Sequence, residues 1–225
     1  MQVGEAIPAA TVVLLRDGAG GVEVLMLRKN RGQAFGGMWV FPGGKVEDAD
    51  GDVDRDGEAV VARRAAVREA AEETGVVLEA DALVPFAHWV PPDEAPKRFS
   101  TWFFVAALPK GAADVVVDGG EIGDHVWTAP ADALDRHAAG EVELVPPTWV
   151  TLHGLADIES AAAAVDAASA GEVAYFATHM GALGDRLCAV WEPDAAYESG
   201  DLEAAGPRHR LLMTSTGAWT YERSP

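Results

Sequence analysis

At 225 residues and 49% hydrophobic side chains, the chain has material for one domain of ordinary to large size, or for a domain with an extension. Its 36 acidic against 17 basic residues, a net charge of -19, argue against nucleic acid or an anionic membrane surface as the main partner. A single cysteine, Cys188, leaves no internal disulfide and fits a reducing compartment. With no charged-then-apolar leader and no apolar run near about eighteen residues, the expected setting is a soluble, cytoplasmic protein.

Ala9 to Leu15 is β-branched and apolar, the pattern of a buried strand. Arg16 to Gly21 is a turn by composition, and Val22 to Arg28 completes a hairpin. A polar, Gly-containing loop follows from Lys29 to Gly37, then a short strand from Met38 to Phe41 that stops at Pro42. Arg28, Lys29 and Arg31 form a cationic cluster that suits either a solvated turn or contact with an anionic substrate. Phe35 and Trp39 suit core positions or the wall of a cleft.

From about Glu58 an Ala-, Val- and Arg-rich run predicts a helix that ends at Gly75 as its C-cap. Within it, Glu69, Glu72 and Glu73 are related by i, i+3 and i+4 and share one face. Like charges so placed cost about tenths of a kcal/mol per pair unless a cation offsets them. The plain reading is a solvated acidic face; the chemical one is a hard-cation site for Mg²⁺ or Mn²⁺.

Downstream, Val76 to Leu78 and Leu83 to Phe86 read as short strands, and Phe99 to Leu108 gives the strongest strand signal of the chain. Pro91-Pro92 and Lys97-Arg98 are candidates for a substrate-side loop. A strand carrying Trp127 and a short helix from Pro130 to His137 come next. From Leu144 the composition shifts: Val145 to Leu152 leads into an Ala-rich helix over Leu155 to Ser169. Val173 to Phe176, Leu187 to Trp191 and Leu211 to Met213 then suggest short strands. No Pro/Ser linker separates this tail, so residues 1–225 are expected to form one domain, with a core over about 8–145 and an extension over about 146–225.

The segment Phe41-Pro42-Gly43-Gly44-Lys45-Val46-Glu47, an acidic loop, and Arg68-Glu69-Ala70-Ala71-Glu72-Glu73-Thr74-Gly75-Val76 together resemble the Nudix signature, Gx5Ex7REUxEExGU with U aliphatic. Gly44 opens the motif, and its second half is filled in register. The first half departs from it. Asp50 stands where the signature has Glu, and seventeen residues separate it from Arg68 where the signature has seven. The insertion is rich in Asp and Gly and suits an exposed turn, with Glu58 as a second candidate for the missing Glu.

The resemblance implies an α+β fold, the Nudix α/β/α sandwich around a mixed sheet, and hydrolysis of a nucleoside diphosphate linked to another moiety. It implies that Glu69, Glu72, Glu73 and the carbonyl of Gly43 bind Mg²⁺ or Mn²⁺, and that Arg68 orients the carboxylates. Glu121, just before the Trp127 strand, matches the family's further Glu across the cleft, and either it or Glu69 is the general base. Arg28, Arg31, Phe35 and Arg98 are then the substrate-binding candidates. FPGG, the inserted signature and the extended tail also resemble the branch of coenzyme A and acyl-coenzyme A diphosphatases, although Gln33 stands where that branch has Arg. ADP-ribose and NADH stay open as substrates, as does a metabolite-binding module without turnover. A homodimer is the assembly the family suggests.

Overall fold

A computed structural model describes residues 6–32, 35–109, 111–112, 114–117, 119–215 and 217–225. The main sheet is built from β1 (Ile7–Gly18), β2 (Gly21–Lys29), β3 (Trp39–Val40), β4 (Gly43–Lys45), β5 (Val84–Val90), β6 (Phe99–Ala107), β7 (Ile122–Thr128) and β8 (Ala174–Ala177). Its order is β3-β2-β1-β6-β5-β8, with β4 pairing β1 and β7 pairing β2. β1 runs parallel to β6, β5 runs parallel to β8, and the other pairs are antiparallel, so the sheet is mixed. β1 reads as a continuous apolar run because both its faces are covered. Val13 and Leu15 enter one core cluster, Ala10, Val12 and Leu14 the other.

One face is covered by α2 (Glu58–Thr74). Ala62, Ala65, Ala66 and Ala70 recur at helical spacing and meet Val12, Leu14, Leu25, Leu27 and Phe104. Small side chains on this stripe bring the helix backbone close to the sheet. The helix stops at Gly75, whose left-handed φ of 71° lets its N–H reach the carbonyl of Ala71, as expected of a glycine C-cap. Val76 to Leu78 is not a strand, contrary to expectation. Val76 and Leu78 are buried and Val77 exposed, so the alternating pattern is met by side-chain burial with no sheet pairing.

The opposite face carries α3 (Pro130–Ala138), α4 (Pro146–Leu155) and α5 (Ala161–Ala170). The Ala-rich helix expected over Leu155 to Ser169 begins only at Ala161, and Leu155 is the last residue of α4. The break has a local cause: Ser160 caps α5 by accepting from the Ala163 N–H at 3.1 Å, and Asp17 accepts from the Ala161 N–H at 2.8 Å. Beyond α5, a second antiparallel sheet comprises β9 (His179–Leu183), β10 (Arg186–Val190), β11 (Arg208–Met213) and β12 (Thr220–Ser224). Its edge strands, β9 and β12, carry mostly exposed or half-buried side chains and gave no apolar signal. Trp191, Leu211 and Met213 of this region share one core with Trp89, Phe103, Trp149 and Phe176. Trp89 stacks on Phe176 at 3.8 Å, and Trp191 meets both rings edge-on at 5.5 Å. The result is the expected α/β/α arrangement with a small second sheet as its C-terminal extension.

The acidic insertion is exposed but not irregular. A 3-10 turn at Asp48–Asp50 is followed by α1 (Val53–Asp56), capped by Asp52, which accepts from the N–H groups of Asp54 and Arg55. Arg64 of α2 fastens it, donating to Asp56 at 2.7 Å and to the Asp50 carbonyl at 3.1 Å.

Candidate active site

The last two turns of α2 carry the acidic face, and Arg68 organises its outer part. Nη1 donates to Glu69 at 2.9 Å and to Glu72 at 3.0 Å, which brings these two carboxylates side by side. Nε and Nη2 grip both oxygens of Asp50 at 3.0 and 2.9 Å, and Nη2 also reaches the Lys45 carbonyl at 2.9 Å. Asp50 is only 5% exposed, and its second carboxylate partner is the N–H of Glu47 at 2.8 Å. Burial pushes the Asp50 carboxyl up, but Arg68 and the Glu47 N–H together outweigh it and hold the pKa below the ordinary value. Asp50, the residue at the position where the signature has Glu, is thus the carboxylate that Arg68 grips with two nitrogens. Glu58 lies ten residues back along α2, its carboxylate 3.7 Å from His88, and does not join the site.

Glu73 turns inward. Its Oε1 accepts from Lys29 Nζ at 2.7 Å and its Oε2 from the Gly43 N–H at 2.9 Å. Lys29 Nζ also donates to Glu121 at 2.7 Å. Burial works against the Lys29 ammonium, but the Glu73 and Glu121 carboxylates outweigh it and raise its pKa. Glu121 is brought there by the β2–β7 pairing, with the Asn30 N–H fixing its carbonyl at 2.9 Å. The two glycines of FPGG are there for space. A Cβ at Gly43 would overlap the Ala10 carbonyl oxygen, and one at Gly44 would overlap the Glu69 carboxylate. Burial pushes the Glu69 pKa up, with Arg68 opposing.

The residues expected to bind metal therefore divide. Glu69 and Glu72 lie together under Arg68, with Glu69 against Gly44; Glu73 and the Gly43 N–H belong to the Lys29 network. Among the described residues no group of three or more His, Cys, Asp or Glu side chains converges on one point. A Mg²⁺ ion still fits, because it commonly takes one or two carboxylates and fills its octahedron with water and substrate phosphate.

The substrate candidates are less concentrated. Arg28 is half-exposed, 3.8 Å from Asp124 and 5.9 Å from the centre of the Trp39 ring. Arg31 lies on an exposed turn. Phe35 is 45% exposed, adopts φ of 61°, and faces Phe99 at 6.1 Å. Arg98 pairs with Asp93 at 2.7 Å and donates to the Pro91 carbonyl at 3.4 Å. Gln33 lies outside the described residues. Lys29 is the site residue that sequence reasoning placed in the wrong company, grouped with Arg28 and Arg31. Strand alternation was the available signal, since Leu27 and Lys29 point inward while Arg28 points out.

A mixed sheet flanked by helices thus sets the carboxylates at the end of α2 beside the glycine pair of β4. The model of the NUDIX domain matches residues 6–147, and the chain belongs to the Nudix family. It is a pyrophosphohydrolase, acting on diphosphate linkages. The chain is similar to a NUDIX hydrolase from Alicyclobacillus acidocaldarius, with 25% identity and a TM-score of 0.63 over 72% of this chain and 96% of that one. The MutT NUDIX hydrolase from Burkholderia pseudomallei shares the fold at 21% identity and a TM-score of 0.50, covering 67% of this chain and 98% of that one. So does the NUDIX domain of Shewanella oneidensis NrtR, solved with ADP ribose, at 18% identity and a TM-score of 0.50 over 67% and 86%. No curated protein matches the chain. No helix among the described residues is long and apolar enough to cross a membrane.

Proposed function

We propose that the protein cleaves the diphosphate of a nucleoside diphosphate derivative, of the coenzyme A or acyl-coenzyme A, ADP-ribose or NADH type, with Mg²⁺ or Mn²⁺ held by Glu69 and Glu72. The observation that carries this reading is the pair of carboxylates joined through one nitrogen of Arg68. The carbonyl of Gly43 is a further ligand in this proposal, since Glu69 lies against the adjoining residue, Gly44. When bound, the ion neutralises the diphosphate and acidifies a bound water. Arg68 holds the two carboxylates in register and is itself anchored by Asp50. Glu69 and Glu121 are the carboxylates at hand for the proton of the attacking water.

The rest of the substrate is assigned to the side of Phe35 and Arg98. Phe35 offers an exposed ring, and Arg98 lines a polar cleft of about 480 Å³ together with the stacked rings of His179 and Tyr197. ADP ribose bound by the NUDIX domain from Shewanella oneidensis is consistent with this substrate class. A cytoplasmic location fits the one cysteine, which is buried and free.

The test is a turnover screen with Mg²⁺ and with Mn²⁺ over coenzyme A, acetyl-coenzyme A, NADH, ADP-ribose and a dinucleoside polyphosphate, with Glu72→Gln as control. Metal-dependent cleavage that falls at least about a hundredfold in the control is the expected result. Absence of turnover, with one compound raising the melting temperature, would replace the hydrolase reading by a metabolite-binding module.

A further inference from the structure

The Ala-rich helix and the C-terminal strands enclose a space that the diphosphate chemistry leaves unused. Between the main sheet and α5 lies a cavity of about 300 Å³, with no residue of the acidic end of α2 along it. β1, β6 and β8 supply its floor through Val13, Val105 and Phe176, and the Phe176 ring is held flat by its stack on Trp89 at 3.8 Å. The facing wall is α5, where Ala164, Ala167 and Ala168 stand at i, i+3 and i+4 on one side of the helix. Protein interiors are close-packed and hold few voids larger than a water molecule. Larger apolar side chains at these positions would fill the space, and alanine leaves it open.

Charge selects as well as shape. In a chain with 36 Asp and Glu residues, none of the described residues that line this cavity is acidic. The fully charged side chain among them is Arg223 of β12, which is exposed and so stands where the cavity meets solvent. Tyr221, two residues back on the same strand, faces the same side. No carboxylate among the described residues pairs with Arg223. The polar cleft at Arg98 has the opposite character: Asp93, Glu94 and Glu198 stand along it, and Asp93 already occupies the arginine.

We propose that this cavity is a second binding site, for a monocarboxylate with an apolar chain, of the medium-chain fatty acid kind. The chain lies between Phe176 and α5, and the carboxylate meets Arg223 at the rim. Burial against an apolar lining takes the chain out of water, and the volume is at the lower end of the range for small-molecule sites. A guanidinium without a carboxylate of its own offers paired donors to the head group. The floor belongs to the main sheet and the wall and rim to the C-terminal extension, so the bound molecule joins the two. The inference is independent of the diphosphate reading.

The test is isothermal titration calorimetry of the full-length wild type, Arg223→Gln and Ala168→Trp with sodium decanoate, kept below its micelle concentration. The expected result is one decanoate per chain, binding about tenfold weaker in Arg223→Gln, and none in Ala168→Trp, whose indole fills the cavity. Absence of saturable binding by wild type would overturn the proposal. So would unchanged affinity in either variant, which would place the ligand elsewhere or leave Arg223 without a role. Should Ala168→Trp not fold, photolabelling of wild type with a diazirine-bearing decanoate decides: adducts on α5 and β12 are expected, and adducts confined to other segments would overturn the site. Binding that falls as protein concentration rises would also overturn it, in favour of a second copy of the chain as the occupant.

Discussion

Arg68 grips both oxygens of Asp50 across the seventeen residues that separate them, at 3.0 and 2.9 Å. Asp is one methylene shorter than the Glu of the family signature. Here the 3-10 turn capped by Glu47 carries the shorter side chain to the arginine. The inserted residues after it leave by a separate helical turn, so the extra length never enters this contact.

Arg68→Lys and Asp50→Asn should each lower stability by about 1–3 kcal/mol, because a fork-to-carboxylate contact is lost and buried polar atoms are left short of partners. Urea unfolding of both singles and the double variant checks this. A coupling energy of about 1–3 kcal/mol is expected, and simple additivity would show that the two residues act independently.

Removing Asp52 to Asp56 should leave a cooperatively folding protein whose melting temperature stays within about 4 °C of wild type. The segment is exposed and its ties are surface ion pairs with Arg64, which retains the Asp50 carbonyl. A much larger drop in a thermal melt would show that α1 supports the Arg68 contact.

Acid should weaken the C-terminal sheet through Asp194. This carboxylate is buried, and burial pushes its pKa up, but Arg210 at 2.5 and 2.7 Å and the N–H groups of His209 and Ala196 outweigh that and hold it at about 2, against an ordinary 3.8. A depressed folded pKa contributes stability above the unfolded value, and that contribution is lost as pH falls through the folded one. About 2 kcal/mol should therefore disappear between pH 4 and pH 2. Asp194→Asn should be less stable than wild type at pH 6, with the gap narrowing by that amount at pH 2. A gap independent of pH would disprove the linkage.

Trp191→Ala should cost about 3–5 kcal/mol and destabilise both sheets in one transition, since its ring closes the aromatic cluster with Trp89 and Phe176. Val77→Ser, at a side chain 74% exposed, is the control and should change stability by less than about 0.5 kcal/mol. Two separate unfolding transitions in the tryptophan variant would mean that the extension folds independently of the main sheet.

Local signals carried much of this fold. The continuous apolar run of β1, the strand at Phe99–Ala107, and α2 with its glycine cap were all legible, because burial on both faces and left-handed capping leave direct marks in the sequence. Val76 to Leu78 misled because a buried-exposed-buried pattern arises with or without a neighbouring strand. The start of α5 is marked locally by its N-cap, Ser160, and is held as well by Asp17, more than a hundred residues away. No local pattern reports that contact.

At the site, the spacing of Arg68, Glu69, Glu72 and Glu73 was determined by the sequence alone, since a helix places i, i+3 and i+4 together whatever surrounds them. Which carboxylate receives which cation was decided only by tertiary structure. Lys29 lies forty-four residues from Glu73 and ninety-two from Glu121, and meets both because β2 pairs with β7 at the edge where α2 ends. Charge type and helical phase are local properties of a chain. The burial that turns a surface lysine into an internal counter-ion arises only when separate strands and a helix close around it.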